Sequence, residues 1–414
     1  MKNTAQNKSI PEIYASKSIT KYIMDLVNIR YVKSGLTIDC IAGGMIVIAE
    51  KVQCFGVFAP NGIFVEQSLQ TRGKGQLIPD NVVLENIPYF DYDAVYLGNV
   101  DDAFGHYILE HWTRSYAFLN EKYKTMKFVI VNDMRFNPVP NFVTKLAYLL
   151  GIPSENFIIL DKTSKFRNVY VPESAFKLVR YSSIEFGEIY AKIAENVKKE
   201  YDFEKIYVSR AGLKQRKVYG EEKVQSIFKK NGYHIVYPEQ LPLEEQIALM
   251  KNCKSLAGCA GTALHLALFM YEGGNVYQIR RNKIKDGNCG TQYLITEAKK
   301  LHLTYIDASI EKYKTRHGEN KAQIIGVNDN MKRFFDDNGF KYSPNDLEFD
   351  KEAWEEYLLQ AKKLEALRLE RYGGKSEFQV NLLHKIVKFL ACFIYNRHKR
   401  VAFRTKLRKR WGIL

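Results

Sequence analysis

The chain has 414 residues, 46% hydrophobic and 26% charged, which fits two or three soluble globular domains and excludes a small stapled scaffold, wholesale disorder and a polytopic membrane protein. Its departure from the average is a formal charge of +16, from 62 Lys and Arg against 46 Asp and Glu. That surplus is concentrated: Lys375 to Leu414 holds eleven basic residues and one acidic one, leaving only +6 for the first 374 residues.

From about Tyr31 to Val100 short β segments alternate with Gly, Asn and Pro signals, among them Met45 to Ile48, Gly62 to Val65 and Ala94 to Leu97. Apolar residues then recur at helical spacing from Phe104 to Leu119, followed by a strand at Lys127 to Val131, a helix at Asn141 to Leu150, and strands at Phe157 to Leu160 and Asn168 to Pro172. This alternation predicts a doubly wound α/β lobe, so residues 1–185 read as an N-terminal β-rich segment plus an α/β acceptor-side lobe. A helix near Ser183 to Lys199 leads into a second unit, residues 186–306. Its strands are expected at Lys205 to Ser209, His234 to Tyr237, Ser255 to Cys259 and Asn275 to Ile279, with helices between them, as in a Rossmann-like half. Residues 307–414 read as a helical extension ending in the basic tail.

Six scattered cysteines without a CxxC pair point away from a zinc site and a disulfide framework and towards a reducing cytosol. No apolar run follows Met1, so neither a signal peptide nor an N-terminal anchor is expected. Val380 to Tyr395 is shorter than the ~20 residues of a membrane span. It combines Leu382, Leu383, Ile386, Val387, Phe389, Leu390, Phe393 and Ile394 with Lys385, Lys388 and the cations that follow. This pattern predicts an amphipathic helix over residues 380–414 on an anionic inner-leaflet surface; the plainer reading packs it on the first lobe. A nucleic-acid partner is not expected, because the cations sit at one end among aliphatic residues rather than along an aromatic platform.

Three constellations carry candidate chemistry. In Phe104-Gly105-His106-Tyr107-Ile108-Leu109-Glu110, a helix starting near Gly105 places His106 and Glu110 at i and i+4, with Arg114 continuing the row. An imidazole beside a carboxylate is the composition of a general base, though an ordinary structural pair has the same spacing. Ser209 and Arg210 leave the carboxyl end of a strand, followed by Arg216, and arginines there suit phosphate oxygens. In Ala257 to His265, the small residues Gly258, Ala260, Gly261 and Thr262 join a strand to a helix; they let an anion approach the backbone or simply pack tightly. Thr262 is placed as N-cap and His265 one turn into the helix. Asp91-Tyr92-Asp93 is a chance-level DxD, so no metal site is expected. No P-loop, HExxH or GxSxG motif is present.

Together these residues resemble glycosyltransferase family 61, whose bacterial members are often of the capsular polysaccharide biosynthesis type, over about Val95 to Ile279. Gly105-His106 with Glu110 and Arg114 resembles the family's GH-x-x-x-E-x-x-x-R helix, and Leu150 to Ile152 through Val171-Pro172 follows its usual continuation. Tyr207-Val208-Ser209-Arg210 resembles Y-[IV]-S-R, Arg216 with Glu221 its R-x-x-x-N-E, Glu245-Gln246 its E-Q, and Gly273 its P-G. Where the family commonly reads H-G-A-x-L-x-N, the chain has Ala260-Gly261-Thr262-Ala263-Leu264-His265-Leu266. The family's His is thus Ala260 and its Asn Leu266, and His265 is the candidate substitute.

The resemblance implies a GT-B-like α/β fold, two Rossmann-like lobes facing across a cleft. It further implies an inverting, metal-independent transfer of a hexosyl or pentosyl group from a nucleotide-sugar to a glycan or lipid-linked glycan. The cell-surface polysaccharide made is of capsular or lipopolysaccharide type. No cofactor is implied, because the nucleotide-sugar is a substrate. His106 and Glu110 are then catalytic, Arg114 acceptor-side, and Ser209, Arg210, Arg216, Glu245, Gly261, Thr262 and His265 donor-binding. The place expected is the cytoplasmic face of the cell membrane. A catalytically inactive glycan-binding or assembly protein of the same fold is the alternative, given Ala260.

Overall fold

The structure, a computed structural model, describes residues 9–49, 54–69, 86–132, 136–213, 217–282, 288–311, 322–371, 373–375, 377–395 and 397–412. The chain opens with β1 (Glu12–Tyr14), α1 (Lys17–Asn28), β2 (Tyr31–Lys33), β3 (Ile38–Ala42), β4 (Met45–Ala49) and β5 (Cys54–Phe58). There follow β6 (Tyr89–Asn99), a short α2 (Phe104–His106), β7 (Lys127–Val131), α3 (Asn141–Leu150), β8 (Phe157–Leu160) and β9 (Ser164–Pro172). Strands β3 to β9 form a seven-stranded mixed sheet in the order β5-β4-β9-β6-β7-β8, with β3 also on β9. In its parallel part, β9-β6-β7-β8, residues 94–99 of β6 and 128–131 of β7 are buried on both faces, as their unbroken apolar runs require. Antiparallel β3, β4 and β5 extend one side. The segment at Gly62 to Val65 contributes one bridge, Phe58 with Phe64, rather than a strand.

After β10 (Phe176–Lys177), β11 (Tyr181–Ser183) and α4 (Ile184–Asn196) come β12 (Lys205–Val208), β13 (Val218–Tyr219), α5 (Glu221–Lys230), β14 (His234–Val236) and α6 (Leu243–Met250). Then follow β15 (Ser255–Cys259), β16 (Asn275–Arg280), α7 (Asn288–Ala298), β17 (His302–Asp307), β18 (Gln323–Ile324) and α8 (Asp329–Asp337). The second sheet is wholly parallel, in the order β1-β17-β16-β15-β12-β14. From β12 the chain moves outward to β14 and then crosses back to β15. The carboxyl ends of β12 and β15 therefore flank the point where strand order reverses, the crevice in which open α/β sheets take ligands.

Segments outside residues 186–306 also pack on this unit. β1, expected in the first unit, pairs in parallel with β17. Past 306, α8 buries Met331, Phe334 and Phe335, an i, i+3, i+4 stripe, in one cluster with Tyr14, Tyr207 and Ile306. The two sheets are not separate bodies. One apolar cluster runs from Val95 and Ile130 under the first to Val208 and Leu256 under the second, and α4 supplies its middle with Phe186, Ile189, Tyr190 and Ile193. Tyr190 stacks edge-on against Phe269 and donates to Ile108 O at 2.7 Å, so α4 ties both units to one frame.

Beyond α9 (Pro344–Leu347) lie α10 (Lys351–Arg371), α11 (Glu377–Cys392) and α12 (Arg397–Arg410). α10 sets Tyr357 and Ala361 on Ile324. The tail is not one helix. α11 and α12 fold into a hairpin with its own small core of Val380, Leu383, Val387, Leu407 and Trp411, and Arg400 caps the end of α11 by donating to Ile394 O and Tyr395 O. Leu382, Ile386, Phe389, Leu390 and Phe393 remain exposed along the other face of α11. Among the described residues no helix is long and apolar enough to cross a membrane.

Candidate active site

The segment between β6 and β7 is helical as its apolar spacing predicts, but its winding changes twice. α2 gives way to a π turn at Tyr107–His111 and then to a 3₁₀ helix at Trp112–Leu119. Residues 107–118 are buried almost all round, so tertiary packing rather than a single apolar stripe sets the winding. His106 and Glu110 stay together, with Nδ1 2.6 Å from Oε1. The imidazole is 44% exposed and the carboxylate 4%. A buried carboxylate accepting from Nδ1–H leaves the lone pair of His106 on Nε2, the ring atom that faces outward from the pair.

Arg114 does not continue this row. The tighter 3₁₀ turns carry it inward, where Nε donates to Pro172 O at 2.9 Å and Nη2 donates to Gln67 O and Leu69 O at 2.8 and 3.1 Å. Burial pushes its pKa down, and Tyr96 lies 5.5 Å away under the guanidinium. Arg114 is thus a pin holding the end of β9 to the segment after β5. Asp101 and His111 are neighbours of His106 that sequence spacing did not single out. Asp101 caps Ala103 N at 2.8 Å and lies 3.6 Å from His111 Nε2, and that imidazole holds the Asp101 carboxyl below its ordinary value.

The second half of the site lies at the reversal point. Ser209 Oγ accepts from Ala211 N at 3.1 Å and serves the turn after β12. Arg210 extends from that turn towards Gly261, which follows β15: its Nη1 is 3.1 Å from where a side chain on Gly261 would begin. Gly261 has φ of 151°, a conformation that any larger residue would adopt only under strain. It takes the cap position expected for Thr262, which becomes the first residue of the 3₁₀ helix Thr262–Phe269. Arg281, just past β16 and not foreseen from the sequence, brings Nη2 within 3.8 Å of the same point.

The two halves meet directly. A Cβ on Gly105 would lie 2.7 Å from Thr262 Oγ1, so only a glycine lets the turn carrying His106 approach the loop carrying Gly261. His265 lies on the same side: Nδ1 is 3.2 Å from Gln292 Oε1, whose amide is oriented by donation to Leu264 O. Burial holds this imidazole down at about 4, so it is neutral at pH 7 with Nδ1 protonated and Nε2 an acceptor. Ala260 and Leu266 are buried.

Two expected donor residues do not join this set. Arg216 lies outside the described residues. Glu245, on α6, spends its carboxylate on Lys199 Nζ and Tyr201 OH, both at 2.5 Å, pinning the chain after α4. Asp93 of the DxD tripeptide accepts from Arg167 and Asn168 at 2.9 Å within the first sheet.

Behind Arg210 sits Glu221, fully buried at the start of α5, accepting from Arg210 N and Tyr207 OH at 3.2 Å each. Burial raises its carboxyl to about 7, against the opposing pull of Arg210. A carboxyl whose pKa is higher folded than unfolded contributes stability that is complete below about 4.5 and lost as pH rises through about 7. Glu221→Gln keeps an acceptor oxygen but has no proton to lose. It is expected to match the wild type in urea unfolding at pH 5 and to exceed it at pH 8.5, by roughly 2–3 kcal/mol. An identical difference at both pH values would disprove the titration.

Residues 104–277 match the family model Glycosyltransferase 61. A search of the curated proteins returns no match. The matched span starts at Phe104, contains His106, Glu110, Arg210, Gly261, Thr262 and His265, and stops inside β16, before Arg281. Both halves of the site fall within the span that is similar to this family, and the match supports a glycosyltransferase.

Proposed function

We propose that the protein is an inverting, GT-B-like glycosyltransferase that moves a sugar from a nucleotide-sugar donor to a glycan or lipid-linked glycan in cell-surface polysaccharide synthesis. The observation that carries this reading is the contact of Gly105 with Thr262, which sets the His106–Glu110 pair against Arg210 and Gly261 at the reversal point of the second sheet.

In the proposed reaction the acceptor hydroxyl attacks the anomeric carbon while the glycosidic oxygen leaves with the diphosphate. His106 Nε2 takes the hydroxyl proton, and Glu110 holds Nδ1–H and stabilises the imidazolium that forms. The departing charge falls on Arg210 and on the backbone N–H groups after Gly261, so the charge stabilisation is supplied by the protein. His265, neutral and near His106, offers Nε2 as an acceptor to a sugar hydroxyl and fills the polar role left open by Ala260.

The experiment is a thermal-shift panel of uridine, guanosine, cytidine and thymidine diphosphates. One of them at a hundredfold its Kd should stabilise the protein by about 2.7 kcal/mol. No shift with any of them would remove the nucleotide-sugar reading and favour an inactive glycan-binding protein, for which Ala260 is the supporting observation.

The α11–α12 hairpin supports a peripheral site on an anionic inner leaflet. Its exposed stripe from Leu382 to Phe393 is flanked by Lys385 and Lys388 and followed by the cations of α12. Each cation near such a surface contributes about 1 kcal/mol. Deleting Lys375 to Leu414 is expected to abolish sedimentation with phosphatidylglycerol-rich liposomes while preserving the nucleotide shift. Unchanged sedimentation of the truncated protein would refute the anchor.

A further inference from the structure

The order β16-β15-β12 places Gly261, at the end of the middle strand, between Arg281 from one neighbour and Arg210 from the other. The position that a side chain on Gly261 would take is 3.8 Å from Arg281 Nη2 and 3.1 Å from Arg210 Nη1, so two guanidinium groups lean from either side onto one vacant point. Two guanidinium forks converging in this way suit the oxygens of one anion. Arg281 is itself oriented: its Nη1 donates to Gln323 Oε1 at 2.7 Å, and Gln323 is held in β18 by pairing with β13. Gln323 thereby fixes the direction of the fork.

We infer that Arg281 is a second diphosphate-binding residue, gripping the leaving group from the side of β15 opposite Arg210, with Gln323 as its positioning residue. Neither lies within residues 104–277, so the donor site is completed by chain beyond the matched span. The assignment rests on the nucleotide-sugar reading above and deepens it. Two arms rooted on strands two places apart suit a group with two phosphoryl centres, each arginine meeting one bidentately.

The test titrates full-length protein calorimetrically with the four nucleoside diphosphates, their monophosphates and inorganic pyrophosphate. Arg281→Ala is expected to weaken the best diphosphate and pyrophosphate about tenfold or more, and the matching monophosphate less than about threefold, because only one arm of the grip is lost. Arg281→Lys keeps the charge without the fork and is expected to recover part of the loss; it also serves if the alanine variant fails to fold. Gln323→Ala should weaken diphosphate binding about threefold. Diphosphate affinity within twofold of wild type in both Arg281 variants, or equal losses for mono- and diphosphates, would overturn the assignment. Wild-type protein that binds neither pyrophosphate nor any diphosphate would overturn it as well. Arg281-dependent binding of pyrophosphate without binding of any nucleoside diphosphate would instead leave the arginine pair standing and defeat the nucleotide-sugar donor.

Discussion

His106→Ala is expected to lower sugar transfer at least about a hundredfold while leaving the unfolding midpoint unchanged, since positioned general bases contribute 10²–10⁴. The fold has little to lose at this position, because the ring is 44% exposed and its described polar partner is the Glu110 carboxylate. The chemistry loses more. A hydroxyl nucleophile is weak until its proton is taken, and Nε2 is the unprotonated ring atom that Glu110 leaves available. Glu110→Gln separates orientation from charge, since its amide oxygen still accepts from Nδ1–H while the negative charge that favours the imidazolium is gone. Its loss of rate should be smaller than that of His106→Ala. Near-wild-type turnover in His106→Ala would take the residue out of the mechanism.

Arg210→Ala should produce a comparable loss, about a hundredfold or more in transfer, accompanied by loss of the nucleoside diphosphate thermal shift. Removing the side chain leaves intact the Arg210 N–H bond to Glu221 and the turn held by Ser209 Oγ, so the backbone at the end of β12 stays in place. What disappears is Nη1 beside Gly261. Charge on the leaving diphosphate grows as the glycosidic bond breaks, so kcat should fall further than binding of the ground-state donor. Arg210→Lys should restore binding partly and rate less, because an ammonium is a point charge without the planar fork. Retention of both thermal shift and rate in Arg210→Ala would relocate the phosphate site.

Much of this site was legible in the sequence wherever the relevant neighbours lie within a turn or at a strand end. The His106–Glu110 pair follows from their four-residue spacing and survives the change to a π turn. Ser209-Arg210 and Ala260 to Thr262 sit after apolar strands, and strand ends are readable from period and composition. Arg114 shows where such reading stops: it shares the same heptad-like row, yet the 3₁₀ winding that follows is set by packing on all sides and turns it into the core. The partners of Glu245, Lys199 and Tyr201, come from a segment distant in sequence, which local spacing does not show. The hairpin of α11 and α12 was likewise hidden, since one continuous basic amphipathic pattern serves equally for one helix or two.

The sequence by itself determined the α/β alternation, the His106–Glu110 pair, the arginine and glycine at two strand ends, and the concentration of cations in the last 40 residues. These are properties of spacing and composition over a few turns. Only the tertiary structure decided that β1 closes the edge of the second sheet, that Gly105 meets Thr262, and that Arg281 faces Arg210 across Gly261. Each of these depends on strand order and on how α4 seats one sheet against the other, and local periodicity carries no information about which distant segments share that frame.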